Sequence, residues 1–148
     1  MSRVALHFPR WAKRVLYGNV ALSFVTGSLW FALHRWGQVE GEFGPEKHPL
    51  EPWLIKAHGA SAFLVLIGFG YLLASHVHIG WRSGKNRRAG LAVVGTILGL
   101  IFTGYLLYYA GSEGFRESVS WVHLAIGLSL PGTLGFHIWL GHRARTKR

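Results

Sequence analysis

The chain has 148 residues, of which half are hydrophobic and only 15% are charged, a composition typical of membrane proteins rather than soluble ones. It contains no cysteine, which excludes disulfides, iron–sulfur clusters and covalently attached c-type haem. The formal net charge of +10 would suit a nucleic-acid-binding protein, but the placement of the basic residues argues against that class.

Four apolar stretches are long enough to cross a membrane as helices, at about 15–34, 53–79, 90–110 and 118–141. A basic segment, Met1–Arg14, precedes the first stretch and is expected to lie against lipid headgroups. The first stretch is too long for a signal peptide and lacks a small-residue cleavage site, so we expect an uncleaved helix.

The segments between these stretches are predicted to be loops. Residues 35–52 and 111–118 are polar and carry all six glutamates, whereas residues 81–89 are basic. The third stretch has glycines at 95, 99 and 104, a spacing that lets a helix or a flat ligand approach closely. We therefore predict an all-α fold, an integral membrane four-helix bundle that forms one domain over residues 1–148.

The basic residues are distributed unequally between the two sides of this bundle. The N-terminal segment, the loop 81–89 and the tail 143–148 together hold twelve of the sixteen lysines and arginines. Cytoplasmic segments accumulate such residues, so both termini are predicted to be cytoplasmic in a multi-pass protein of the bacterial inner membrane. The basic groups then serve orientation and contact with membrane lipids, and no nucleic-acid partner is expected.

Histidines occur in pairs on the second and fourth predicted spans. At about 100° per residue, His123 and His137 lie roughly 40° apart around the helix and about 21 Å apart along it. His58 and His76 lie nearly in line and about 27 Å apart. Both spans run from outside to inside, so His58 and His123 share an outer level and His76 and His137 share an inner level.

Two imidazoles from two helices at one depth are the axial ligands that a b-type haem needs. The sequence thus predicts haem iron ligation by His58 with His123 and by His76 with His137, which gives two haems. The axial distance between the two histidines is about 6 Å longer on the second span than on the fourth. Helix tilt, an inclined cofactor or a bend at Pro131 could absorb this difference. A single haem is the alternative.

Four other histidines are expected at the membrane interfaces rather than at a haem. Among them His78 is the rival inner ligand on the second span and His142 the rival on the fourth. Helical phase favours His76 over His78 and disfavours His142, because the rivals fall about 200° and 100° away from the outer histidines. The interfacial set is His34, His48, His78 and His142.

Several short motifs resemble the small four-helix cytochrome b group, related to cytochrome b561-type and DUF4405-like membrane proteins. They cover much of residues 53–142 and little of the N-terminal third. The fourteen-residue spacing of His123 and His137 also resembles the haem-bearing helices of the larger respiratory cytochrome b. The motifs are KAHGA at 56–60, SHVHIGW at 75–81, NRRAG at 86–90, TGYLLYYAGSE at 103–113 and SWVHLAIG at 120–127, followed by His137.

The resemblance implies transmembrane electron transfer, with inner and outer haems ligated by the histidine pairs named above. The chain has no domain for flavin or NAD, so a periplasmic cytochrome c, a dehydrogenase or another redox subunit is expected as partner, with quinone as a further candidate. Catalysis by the chain itself is left open. The loop acids Glu46 and Glu51 and the imidazole of His48 can accept quinol protons, but a solvated, proline-stiffened loop is the preferred interpretation. The alternative functions are a haem-free membrane anchor or assembly subunit and a proton or metal transporter lined by histidine.

Overall fold

The computed structural model describes residues 9–83 and 86–146, and helices account for most of them. The all-α class is confirmed, apart from one short hairpin. In chain order the elements are α1 (Arg10–Trp36), β1 (Val39–Gly41), β2 (Gly44–Glu46), α2 (Glu51–Leu72), α3 (His78–Ser83), α4 (Arg87–Tyr109) and α5 (Glu113–Thr146), with a π-helical turn (Leu73–Val77) between α2 and α3.

Four helical segments of the described chain are long and apolar enough to cross a membrane: Arg10–Trp36, Glu51–Arg82, Arg87–Tyr109 and Glu113–Ala144. Very few of their side chains are buried. Large apolar residues such as Phe63 and Ile67 are each 70% exposed, which is unusual for a protein surface in water but ordinary for one in lipid. The four predicted spans are therefore present as helices.

The helices are longer than the spans predicted from hydropathy. Helix α1 starts at Arg10 rather than Val15, and α5 starts at Glu113 within a segment predicted to be a loop. Hydropathy detects only the apolar part of a helix, whereas polar residues extend it where they suit its ends. Glu113, for example, places a negative charge in the first turn of α5. Of the predicted basic segments, residues 1–8, 84–85 and 147–148 lie outside the described residues.

A β-hairpin stands within the segment predicted to be a polar loop. Strands β1 and β2 are antiparallel, with Val39 opposite Glu46 and Gly41 opposite Gly44. Gly44 has a φ of +119°, which glycine adopts without the steric cost that other residues incur. The hairpin therefore turns over two residues, and Phe43 at its tip is 92% exposed.

The chain divides into two compact units, Met1–Leu72 and Leu73–Arg148. In the first unit, α1 and α2 form an antiparallel pair. The side-chain amide of Asn19 donates to the carbonyl of Ser61 at 2.9 Å, and Ser61 is only 2% exposed. Small residues hold the helices close, since a Cβ on Gly68 would lie 2.9 Å from Leu16.

In the second unit, α4 and α5 form the other antiparallel pair. A Cβ on Gly104 would lie 3.6 Å from the ring of His123, and a Cβ on Gly90 would lie 3.6 Å from the ring of His137. A step of fourteen residues along α5 thus matches a step of fourteen residues back along α4. The face of α5 that carries both histidines consequently packs against α4, as one antiparallel register requires.

The second predicted span is not an unbroken α-helix. Residues Leu73–Val77 form a π-helical turn, in which each backbone hydrogen bond spans one more residue than in an α-helix. A rotation of 100° per residue therefore does not apply between His58 and the residues that follow Leu72. The prediction of His76 over His78 from helical phase assumed a regular α-helix, and this assumption is wrong. Ring contacts must distinguish the two histidines instead.

Candidate functional site

His58 lies on α2 and faces α1. Its Nδ1–H donates to the carbonyl oxygen of Ser23 at 2.9 Å. That carbonyl belongs to a backbone group of α1, in the same turn as Thr26 and Gly27, and Gly27 leaves room for the ring. The contact fixes both the orientation of the imidazole and its tautomer, with the lone pair on Nε2.

His123 lies on α5 and makes an equivalent contact with α4. Its Nδ1 is 2.7 Å from the hydroxyl of Thr103, a residue that is only 7% exposed. The Thr103 hydroxyl has one proton and donates it to the carbonyl of Gly99, also at 2.7 Å. It therefore accepts the Nδ1–H of His123, and the lone pair of this imidazole is likewise on Nε2.

The two predicted outer ligands thus share one local design. Each histidine donates Nδ1–H to an oxygen of the helix that precedes its own, which places the lone pair of the ring on Nε2. Metal-binding histidines nearly always donate their other ring N–H to such an oxygen, because this raises the basicity of the ligand. His58 and His123 belong to different units, and their pairing on one haem stays a prediction.

His76 and His137, the two predicted inner ligands, lie together in the second unit. Their ring centroids are 6.1 Å apart and their planes are nearly perpendicular, at 89°. With metal–nitrogen bonds of about 2 Å on each side, two imidazoles trans to each other on one ion have centroids roughly 6 Å apart. This separation allows both rings to ligate one ion, and it also falls in the range of an ordinary edge-to-face contact between two rings.

His137 has a buried ring nitrogen without a hydrogen-bond partner. Its Nδ1 atom is buried and has no hydrogen-bond partner within the described chain. Gly90 faces this edge of the ring, where a Cβ would lie 3.9 Å from Nδ1 and 3.6 Å from Cε1. Buried nitrogens are rarely left without a partner, so this atom suits a site that is completed by a metal ligand, a cofactor group or a water molecule.

The rival histidines are placed differently. His78 follows the π-helical turn as the first residue of α3 and is exposed, and His142 near the end of α5 is exposed as well. His76 is exposed too, so exposure does not separate His76 from His78. The backbone N–H of Leu50 donates to Nδ1 of His48 at 3.2 Å, which is a local turn contact. The ring of His137 contacts the ring of His76, and this contact supports His76 over His78.

The sequence reasoning missed a fifth histidine of interest. The Nδ1–H of His34 donates to Oε2 of Glu51 at 2.8 Å, and Glu51 is only 6% exposed. Both residues were expected to be solvated, one at an interface and the other in a loop, and this expectation is wrong for Glu51. The positions of the two residues could have predicted this contact. A short connection makes α1 and α2 antiparallel neighbours, so the end of α1, with His34, lies beside the start of α2, with Glu51.

Within residues 9–83 and 86–146, no group of three or more His, Cys, Asp or Glu side chains is arranged to hold a metal ion. A bis-histidine haem requires only two protein ligands, because the macrocycle supplies the others. Comparison with models of known protein families, with curated proteins and with solved structures finds no significant match.

Proposed function

We propose that the protein is a transmembrane electron-transfer subunit that carries b-type haem on pairs of histidines. The observation that carries this proposal is the 6.1 Å separation of the His76 and His137 rings, which is compatible with both imidazoles ligating one iron. The second support is the Nδ1–H donation by His58 and His123, which prepares each Nε2 as a ligand. Two haems, an outer and an inner one, follow from the four histidines.

Each part of this chain has a stated role in such a subunit. His76 and His137 hold the inner haem, and His58 and His123 hold the outer one. Ser23 and Thr103 orient the outer imidazoles, while Gly27, Gly90 and Gly104 give the rings room against the neighbouring helices. A haem held by these histidines would supply one-electron chemistry at iron.

The proposal includes an arrangement and a location. The four spans cross the bacterial inner membrane with both termini on the cytoplasmic side, as the lysine and arginine distribution favours. Electrons then pass between a periplasmic cytochrome c or dehydrogenase and quinone or another redox subunit. The chain is a relay, and its partners supply the substrate chemistry.

Haem content per chain tests the proposal directly. The full chain is expressed with ample haem, and its pyridine haemochrome is measured against amino-acid analysis, together with a reduced-minus-oxidised spectrum. Two b-type haems per chain are expected, and one would mean that a single histidine level binds. A colourless protein would contradict the proposal and favour a membrane anchor, whereas transport in haem-depleted liposomes would favour a histidine-lined transporter.

A further inference from the structure

A cavity of about 290 Å³ lies in the first unit, where α1 ends and α2 begins. Its apolar walls come from aromatic, proline and aliphatic side chains, and four polar side chains also line it. The apolar group is Trp30, Pro49, Pro52 and Ile55, and the polar group is His34, Lys47, His48 and Glu51. Both groups come from the ends of two candidate membrane spans and the segment that joins them.

A carboxylate–imidazole pair forms the polar centre of this lining. Glu51 has a side chain only 7% exposed, whereas the His34 ring is 39% exposed and stacks on Trp30 with centroids 4.7 Å apart. Because His34 donates Nδ1–H to Glu51, the neutral form of its ring carries the lone pair on Nε2. The carboxylate and this imidazole nitrogen are both acceptors, and together they favour a ligand that donates a hydroxyl proton.

The other two polar groups are donors. Lys47 has an ammonium group, and His48 accepts a backbone N–H at Nδ1, which places its own N–H on Nε2. A ligand with one oxygen that donates and another that accepts therefore matches the two kinds of group. The buried Glu51 carboxylate disfavours phosphates and other anions, because like charges repel strongly at low dielectric.

The volume of the cavity and the chemistry of its walls restrict the class of ligand further. A cavity of about 150 Å³ holds benzene, whereas sites for drug-sized ligands span about 300–1,000 Å³. The cavity is therefore large enough for one substituted ring and small for a flavin or a nucleotide. Its mainly apolar walls suit an aromatic ring better than a sugar, and its place at the ends of two candidate spans suits a ligand that arrives from the lipid.

We propose that this cavity binds the hydroxylated ring of a lipid-soluble quinol, with Glu51 and His34 accepting from a ring hydroxyl. The inference rests on the proposed function in one respect, because an electron-transfer subunit needs a redox partner at one face. It adds the location of that partner and the residues that recognise it. Binding itself requires no haem, so it can be measured separately.

The test compares two ligands on the unaltered full chain in phospholipid nanodiscs. A decyl-substituted benzoquinol is titrated anaerobically by calorimetry, and the same ring with both hydroxyls methylated serves as the matched ligand. Heats are corrected with empty nanodiscs. We expect saturable binding of the quinol at one site per chain and binding of the dimethyl ether that is roughly tenfold weaker or less, since the ether cannot donate to the carboxylate. Equal heats for both ligands would mean that the ring only partitions into lipid and would overturn the proposal.

Variants then locate the site. Glu51→Gln is expected to weaken quinol binding roughly tenfold, because a neutral amide replaces a charged acceptor of similar shape. Ile55→Trp is expected to abolish binding by filling the cavity, and Glu113→Gln, an exposed glutamate of the other unit, is expected to change nothing. Unchanged binding in both folded cavity variants, judged by circular dichroism and gel filtration, would overturn the proposal. If Glu51→Gln does not fold, Ile55→Trp and the methylated ligand decide the question.

Haem content is measured on the same samples, so that the two proposals can fail independently. A haem-loaded chain that binds no quinol contradicts the quinol site alone. A colourless chain that binds quinol at this cavity contradicts the haem proposal alone and leaves the binding site in place.

Discussion

The imidazole of His58 packs against Gly27 so closely that a methyl group on Gly27 would lie 2.7 Å from Cε1 and 2.8 Å from Nδ1 of the ring. No side chain larger than hydrogen fits at this position while the ring stays in place. The ring is held there by its hydrogen bond to the Ser23 carbonyl, one turn earlier on α1. Gly27 is therefore part of the surface that orients the proposed outer ligand.

We predict that Gly27→Ala removes the haem held by His58. The new methyl group pushes the ring away from α1 and breaks the Nδ1–H···O bond, and loss of such a bond lowers metal affinity by roughly 10–100-fold. Gly18→Ala on the same helix is the matched control, since no described atom lies within 4 Å of the Cβ that it adds. Pyridine haemochrome on both variants checks the prediction, and equal haem contents would contradict it.

Thr103 is predicted to set the strength of His123 as a ligand. Thr103→Val keeps the shape but removes the acceptor, and a buried N–H left without a partner costs about 1–3 kcal/mol. We expect weaker haem binding and a higher reduction potential, because a less basic imidazole stabilises ferric iron less.

Thr103→Ser retains the hydroxyl and is expected to restore both the haem content and the potential of the unaltered protein. Redox titration followed by visible spectroscopy measures the potentials. A valine variant that matches the serine variant in potential and haem content would show that this hydroxyl does not act on the ligand.

The sequence predicted the class of the fold because hydropathy over twenty residues is a strong signal, and four such stretches are present as helices. It did not predict how far the helices extend or where the second span changes its winding. The π-helical turn at Leu73–Val77 leaves no periodic mark, since LASHV is short and shows neither a proline nor a glycine that would signal a change of winding. Helix phase can therefore be computed within a regular segment but not across such a turn.

The candidate site was predicted only in part, because helix phase is reliable only within a regular helix. Residue type and spacing identified His123 and His137 as a pair on one face, and their common packing against glycines of α4 agrees with this. The partners of the imidazoles were beyond sequence reasoning, because Thr103 and the Ser23 carbonyl become partners only through the register of two helices. Glu51 was assigned to solvent because an acid beside a proline usually marks a loop.

Haem content provides a direct test of the proposal that His76 and His137 ligate one haem. We predict that His76→Ala and His137→Ala each remove the same haem, and that the double variant loses no more than either single one, because both residues ligate one iron. His78→Ala, two residues further on and exposed like His76, is the matched control and is expected to retain full haem content, because its ring has no described contact with His137. Haem loss in the His78 variant with none in the His76 variant would reverse this assignment.

The proposed orientation can be tested cleanly because the chain contains no cysteine. Phe43→Cys places a thiol at the tip of the hairpin, where the native side chain is 92% exposed, and Arg88→Cys places one at an exposed position in the first turn of α4. With both termini in the cytoplasm, the hairpin faces the periplasm and Arg88 faces the cytoplasm.

A membrane-impermeant maleimide added to intact spheroplasts is therefore expected to label Phe43→Cys but to label Arg88→Cys only after the membrane is permeabilised. The unaltered protein, which has no thiol, is the control for background labelling. The reverse pattern would place both termini outside. The lysine and arginine distribution would then need an explanation other than orientation, and the quinol cavity would open toward the cytoplasmic face.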